Sequence, residues 1–292
     1  MKQVLKVYSA PTKHWVGDGF LVHTMFHYQQ SYKNIDPFLL MDYAAPHYFA
    51  SNTAQPKGVG EHPHRGFQTV TIAYQGEVAH QDSAGGGGVI KSGDVQWMTA
   101  GSGVMHEEFH SPAFSQAGGV FEMVQLWVNL AAKDKMTPPK YQAIKSDTIP
   151  TVNLLGAGTA KIIAGTLDGI TGPADTFGSI NLWDTQLIAG GGYVFDVPQS
   201  HNLLILVLSG EIVINDTHTA QAAELATFEQ GGQSVKIHAI SDAKILILTG
   251  EPINEPVVGH GPFVMNTKAQ IIEAIDDVQR GNFGQLRPIS QP

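Results

Sequence analysis

The stretch His62-Pro-His-Arg-Gly-Phe-Gln-Thr-Val-Thr-Ile-Ala-Tyr-Gln-Gly-Glu-Val78 contains the architecture of the whole chain in miniature. A histidine pair runs into a β-prone segment, Thr69 to Tyr74, which stops at a Gly-Glu turn before another strand begins. The end of this pattern recurs: Tyr74-Gln-Gly-Glu-Val78 returns as Leu208-Ser-Gly-Glu-Ile212, an offset of 134 residues. Two similar units follow from that repeat. Working outward, residues 124–129, 203–208, 211–214 and 244–249 are further strand-sized apolar segments. Short strands joined by glycine turns, without alternating helices, predict an all-β chain of antiparallel barrels or sandwiches. Gly85 to Gly88 read as a hairpin tip, because the Gly-Lys-Ser/Thr and the helix of a phosphate loop do not follow them. Between Lys133 and Thr151 the texture turns polar and proline-bearing, which marks a linker. Thr267-Lys-Ala-Gln270 fits a capping box, and Ile271, Ile272, Ala274, Ile275 and Val278 follow at helical spacing until Gly281.

Composition narrows the chemistry. The 292 residues carry 17 basic and 26 acidic side chains, a formal net charge of −9, with 13 histidines and no cysteine. Without cysteine there is no disulfide, thiolate zinc site, iron–sulfur cluster or cysteine nucleophile. The acidic balance argues against a nucleic-acid surface, which needs a surplus of Lys and Arg. No apolar run approaches the length needed to span a bilayer, and the N-terminus lacks a signal-peptide pattern. The expectation is a cytoplasmic protein, or a nuclear one in a eukaryote, with no membrane partner.

Two pairs of residues carry metal-ligand chemistry. In a strand, residues i and i+2 share a face, so His62 and His64 point the same way, as do His106 and Glu108. If the two strands are neighbours, four ligands converge. Three neutral imidazoles and a carboxylate suit a divalent first-row ion: iron, manganese, nickel, cobalt, copper or zinc. His110 shares the parity of His106 but lies about 13 Å further along an extended strand. His80 reads as a surface residue or as lining the pocket mouth, Arg65 as paired with a carboxylate or on a solvated barrel rim, and Trp97 and Met98 as core candidates with a lesser claim on the pocket.

These stretches also resemble a known family. His62-Pro-His64-Arg-Gly-Phe, with Gly76 beyond it, resembles the first cupin motif, and Gly93 to His106 resembles the second. With Leu126-Trp-Val-Asn-Leu130 and Gly261-Pro-Phe-Val-Met-Asn-Thr267, the wording is similar to that of the pirin family of two-domain cupins over roughly residues 15 to 280. The resemblance implies two jelly-roll-like barrels packed as a bicupin with a C-terminal helix. The boundaries are 1–135 for the metal-binding barrel, 136–150 for the linker, 151–265 for a second barrel, and 266–292 for the helix and tail. It implies mononuclear Fe(II) on His62, His64, His106 and Glu108. Ordinary cupins take their carboxylate from the first motif, where this chain has Gln68; Gln68 is therefore assigned, with His80 and Trp97, to the surroundings of the ion. In the second barrel the offset of 134 puts Asp196 and Pro198 at the places of His62 and His64, with Lys236 near His106, so that barrel is expected to lack ligands. His201 and His238 read as structural or surface residues.

For function, the resemblance implies a quercetin 2,3-dioxygenase type of activity, in which a flavonol and O₂ are the small-molecule partners and Glu108 is the catalytic base. The alternative is an iron-bearing, redox-sensing regulator that acts through a protein partner without turnover. A cupin with a different small-molecule reaction, such as isomerisation, would use the same ligands.

Overall fold

The computed structural model describes residues 1–286. The tail expected beyond the last helix therefore falls partly outside the described residues. The chain forms two compact units, neither of which is continuous in sequence. The histidine-bearing unit comprises Lys13–His23, Met41–Ser146 and the chain from Asn254; the other comprises Met1–Thr12, Thr24–Leu40 and Asp147–Ile253.

Each unit pairs a seven-stranded sheet with a four-stranded one, and the order is the same in both. In the histidine-bearing unit the large sheet runs Lys140–Ile144, Val95–Thr99, Phe67–Gln75, Gly119–Asn129, Phe38–Phe49, Phe20–His27, His14–Val16. Its small sheet runs Gly58–His64, Val104–His110, Val78–Asp82, Gly87–Ile90. The other unit repeats this with Val4–Ser9, Glu224–Phe228, Asn202–Ser209, Ala243–Gly250, Ile180–Leu187, Gly158–Ala164 and Thr151–Asn153, and with the small sheet Gly192–Asp196, Ser234–Ala239, Glu211–Ile214, His218–Gln221. The expected all-β, two-cupin architecture is present, but as pairs of separate sheets rather than closed barrels. The strand pairings around the histidine pairs are antiparallel, and an isolated parallel bridge joins Arg65 to Phe263. The repeated Gly-Glu turns join equivalent strands, and Gly76 and Gly210 adopt φ of 80° and 81°, a left-handed conformation that a side chain resists.

Residues 136–150 differ from the expected linker. Lys140–Ile144 is a strand in full register with Val95–Thr99, Lys140 opposite Thr99 and Ile144 opposite Val95. As an edge strand it keeps polar residues on its open side, which is why its composition reads as a loop. Lys135 is buried, and its ammonium donates to the Gly66 carbonyl at 2.8 Å, the Val264 carbonyl at 2.9 Å and Asn129 Oδ1 at 2.6 Å.

The helix Lys268–Gln279 begins at Thr267, whose hydroxyl accepts from the Gln270 amide while the Gln270 side chain reaches back to the Thr267 N–H. Ile271 and Ala274 pack with Phe263, Met265 and Phe283, and Met105 leans against the same cluster. Ile272, expected on the apolar stripe, is 61% exposed.

The second unit's interior is filled with apolar side chains: Trp183, Phe195, Val197, Ile205, Ile212, Ile214, Val235, Ile237 and Ile247 belong to one cluster. Strand pairing corrects the alignment of the two halves. Opposite the Gly-Glu turn strand, His110 faces Val78 as Ala239 faces Ile212, so Glu108 corresponds to Ile237 and His106 to Val235. His106 pairs with His62 as Val235 pairs with Phe195. Phe195 and Val197, not Asp196 and Pro198, therefore stand where His62 and His64 do, and Val235 replaces Lys236 as the counterpart of His106. Asp196 and Pro198 lie instead on the wall of a cavity of about 700 Å³.

Because Ile237 is fully enclosed in this core, Ile237→Ala is expected to cost about 2–5 kcal/mol, against less than about 0.5 kcal/mol for Ile240→Ala on the surface. Chemical denaturation of the two variants side by side checks this; equal midpoints would contradict the apolar filling.

Candidate metal centre

Strand Val104–His110 alternates buried and half-buried positions, and His106, Glu108 and His110 occupy its inner face. Strand Gly58–His64 runs beside it, with His106 opposite His62 and Val104 opposite His64. The register shifts between His106 and Glu108, which pairs with Val59. The imidazole rings gather tightly. The His62 and His106 centroids are 4.1 Å apart, those of His64 and His106 4.7 Å, and those of His62 and His64 4.9 Å. One ligand atom from each of the three lies within 4.8 Å of the others. Glu108 joins a second, fully buried cluster with His106 and His80, so His106 is common to both.

Hydrogen bonding orients the rings. His62 Nδ1 donates to the Gly60 carbonyl at 2.8 Å, and His64 Nδ1 donates to the Pro262 carbonyl at 3.3 Å. A neutral imidazole that donates through Nδ1 keeps a lone pair on Nε2. His106 Nε2 is buried and has no hydrogen-bond partner. Buried polar atoms without partners are rare and mark a missing ligand or a functional group. The donor set fits a divalent first-row ion held by imidazole nitrogen, with carboxylate oxygen beside it.

Burial keeps His64 and His106 uncharged. His64 is pushed down to about 3 by loss of solvent and then by its neighbour His62. His106 is held well below the ordinary value, again by burial first and then by His64, His62 and His80. Neutral imidazole is the form that ligates metal. His62 is only half-buried, so the cluster opens to solvent on its side.

The carboxylate is held from the facing sheet. Gln125 Nε2 donates to Glu108 Oε2 at 2.8 Å; Gln96 Nε2 and the Thr71 hydroxyl donate to Oε1 at 3.2 and 3.4 Å. Thr71 pairs with both Gln96 and Gln125, so the three share the inner face of the large sheet. His80 is buried there too, rather than at a pocket mouth. It contacts Asp82 Oδ2 through Nε2 at 3.3 Å, and Tyr141 stacks on its ring at 5.1 Å. Tyr141 is pushed up to about 12 by burial and by the nearby carboxylates of Asp82, Glu108 and Asp94, and so remains a donor.

Gln68 and Trp97 do not reach this site. Gln68 pairs with Thr99 and Trp97 with Val70, which by strand alternation puts both on the face opposite Thr71 and Gln96. Gln68 Nε2 donates to Thr99 Oγ1 there at 2.9 Å, and Trp97 is fully buried. Met98 shares the inner face with Gln96. His110 lies among Phe49, Phe114 and Phe121, with Nε2 2.9 Å from the Gly19 carbonyl. Arg65 does find its carboxylate: its guanidinium is 2.7 Å from Asp277 on the C-terminal helix and lies over the Phe283 ring. The unexpected participants are Thr71, Gln96, Gln125, Asp82 and Tyr141. Polar residues at every second position of otherwise apolar strands, as at Thr69 and Thr71, are the signal that marks them.

Comparison with known proteins agrees with this geometry. The Pirin family model matches residues 19–128, and the model of the Pirin C-terminal cupin domain matches 182–284. A Pseudomonas aeruginosa protein provisionally named a quercetin 2,3-dioxygenase is 47% identical over 284 residues, 97% of this chain and 99% of its own. The chain belongs to the pirin family. A pirin-like protein of Solanum lycopersicum is 37% identical over 92% of this pirin and 88% of its own length. The crystal structure of a quercetin 2,3-dioxygenase from Acinetobacter baumannii superposes with a TM-score of 0.95 at 53% identity, covering 98% of this chain and 99% of that one. No helix among the described residues is long and apolar enough to cross a membrane.

The depressed histidines give a pH dependence. Their folded values lie below the ordinary 6.5, so the unfolded chain binds more protons between that value and about 3. The stability they contribute is complete above about 6.5 and is lost as pH falls toward 3. The metal-free protein is therefore expected to melt at progressively lower temperature as pH drops from 7 to 4, and His64→Phe should flatten that slope. An unchanged slope in the variant would contradict the burial of a neutral His64.

Proposed function

We propose that this pirin is a metal-dependent dioxygenase of the quercetin 2,3-dioxygenase type, with its ion held by His62, His64, His106 and Glu108. The buried, unpartnered Nε2 of His106, whose ring clusters with those of His62 and the neutral His64, is the observation that supports it most. Iron(II) is the proposed ion, and manganese, nickel, cobalt, copper and zinc suit the same donors. When bound, the ion would supply Lewis acidity toward a phenolic oxygen and a centre for chemistry with O₂.

The chain's own residues do the rest. Glu108 is the proposed general base, taking the proton of the flavonol 3-hydroxyl on the one carboxylate position it would otherwise offer to the ion. Gln125, Gln96 and Thr71 hold that carboxylate in place through the hydrogen bonds described above. Substrate would approach past His62, the half-buried member of the cluster. The inner walls exclude water: His64, His106 and Glu108 are 5%, 0% and 4% exposed. Trp127 and Phe67, packed against His64 at 5.3 and 5.0 Å, keep the ring from swinging out.

Protein loaded with iron and supplied with quercetin and O₂ should lose the flavonol absorbance. Glu108→Gln is expected to reduce that rate about 100- to 10,000-fold while metal content falls far less; His106→Ala should lose both. Absence of turnover with all six metals would reject the quercetin 2,3-dioxygenase reading and favour a non-catalytic, regulatory metal protein. Full activity in a metal-replete Glu108→Gln would reject the base.

A further inference from the structure

Glu108 is the end of a longer chain of hydrogen bonds. A carboxylate offers about four lone-pair positions. Gln125, Gln96 and Thr71 occupy three of them, and roughly one remains for an ion or a proton. Which one remains depends on the side-chain amide of Gln96, a fully buried residue. Its Nε2 lies 3.2 Å from Glu108 Oε1 and also 3.2 Å from His80 Nδ1, so its two N–H bonds have two acceptors. Its Oε1 accepts from the Tyr141 hydroxyl at 3.4 Å.

That orientation is set from behind. The backbone amides of Ala84 and Gly86 each donate to Asp82 Oδ1 at 2.9 Å, which fixes the carboxylate. Asp82 Oδ2 accepts from His80 Nε2, so His80 Nδ1 is left as an acceptor, which Gln96 Nε2 approaches at 3.2 Å and His106 Nδ1 more distantly at 3.5 Å. Tyr141 both stacks on the His80 ring, at an interplanar angle of 14°, and caps Gln96. Donors and acceptors alternate consistently from the Asp82 loop to Glu108, and a flipped Gln96 amide would break three bonds at once.

We propose that Gln96 is a positioning residue: held by Tyr141 and by the Asp82–His80 pair, it locks the Glu108 carboxylate so that a single lone pair faces the metal site. This rests on the metal-site reading above. It goes beyond that reading by assigning the orientation of Glu108 to Gln96 and Tyr141, which are not among the metal-ligating side chains. Supporting residues of this kind typically tune affinity or activity about 10- to 100-fold.

The test uses full-length protein loaded with cobalt(II), whose visible absorption reports the ligand field, together with a flavonol assay on the iron form. Gln96→Met keeps the volume and removes both N–H donors; it should still bind one cobalt but show a shifted visible spectrum. If the wild type turns over quercetin, kcat should fall about 10- to 100-fold with KM little changed. Tyr141→Phe keeps the stack and removes only the hydroxyl, so it should shift the spectrum in the same direction by less. It also serves as the readout if Gln96→Met does not fold. Cobalt spectra of folded variants identical to wild type would overturn the proposal even if the enzyme is active. A spectral shift with no wild-type turnover would support it and reject the dioxygenase reading instead. Failure of the wild type to bind cobalt would reject both.

Discussion

Buried imidazoles such as His64 and His106, crowded against the half-buried His62, are a liability unless something accepts their lone pairs. Burying a polar nitrogen without a partner is unfavourable, and protonation, the usual escape, is closed because burial disfavours the charged ring. His106 is the extreme case, fully buried with an unpartnered Nε2. Much of the histidine-bearing unit serves to hold that arrangement. Pro262 orients His64, Val264 donates its N–H to the Arg65 carbonyl, and the helix Lys268–Gln279 is tied to the same strand by Asp277 and Arg65. The Gly261–Thr267 motif and the C-terminal helix thus have a local purpose: they clamp the strand that carries the first histidine pair.

The second unit shows what the fold needs when no such liability exists. With the same strand order, the places of His62, His64, His106 and Glu108 are taken by Phe195, Val197, Val235 and Ile237, all essentially buried. The two-sheet framework is therefore stable on apolar packing alone, and polar ligands in one copy are a departure from it. That contrast, within one chain, separates apolar residues that fill the fold from polar residues that the fold itself does not require.

Much of this was legible without coordinates because the relevant rules are local. The i, i+2 parity of His62/His64 and His106/Glu108 follows from strand geometry, the Gly76 and Gly210 turns from a repeated tetrad, and the helix start from its capping box. What was not legible depends on register and on sheets buried from both sides. All five residues of Val95–Thr99 are buried, so hydropathy does not say that Gln96 faces Glu108 while Trp97 faces away. Gln68 was placed by motif correspondence instead, and its register opposite Thr99 puts it on the face of Trp97. A single offset of 134 slips by one residue at the first histidine pair and by five at the second, because the connections between equivalent strands differ in length. A one-residue slip exchanges faces, which turned buried Phe195 into exposed Asp196.

His62, His64 and His106 are placed to converge on one metal ion. X-ray absorption spectroscopy on protein purified without chelators or an affinity tag, with the metal content measured on the same sample, tests this most directly. One ion per chain is expected, with three imidazole nitrogens and an oxygen at roughly 2.0–2.2 Å if the ion is zinc-like. Sub-stoichiometric metal, or a spectrum without imidazole scattering, would contradict it.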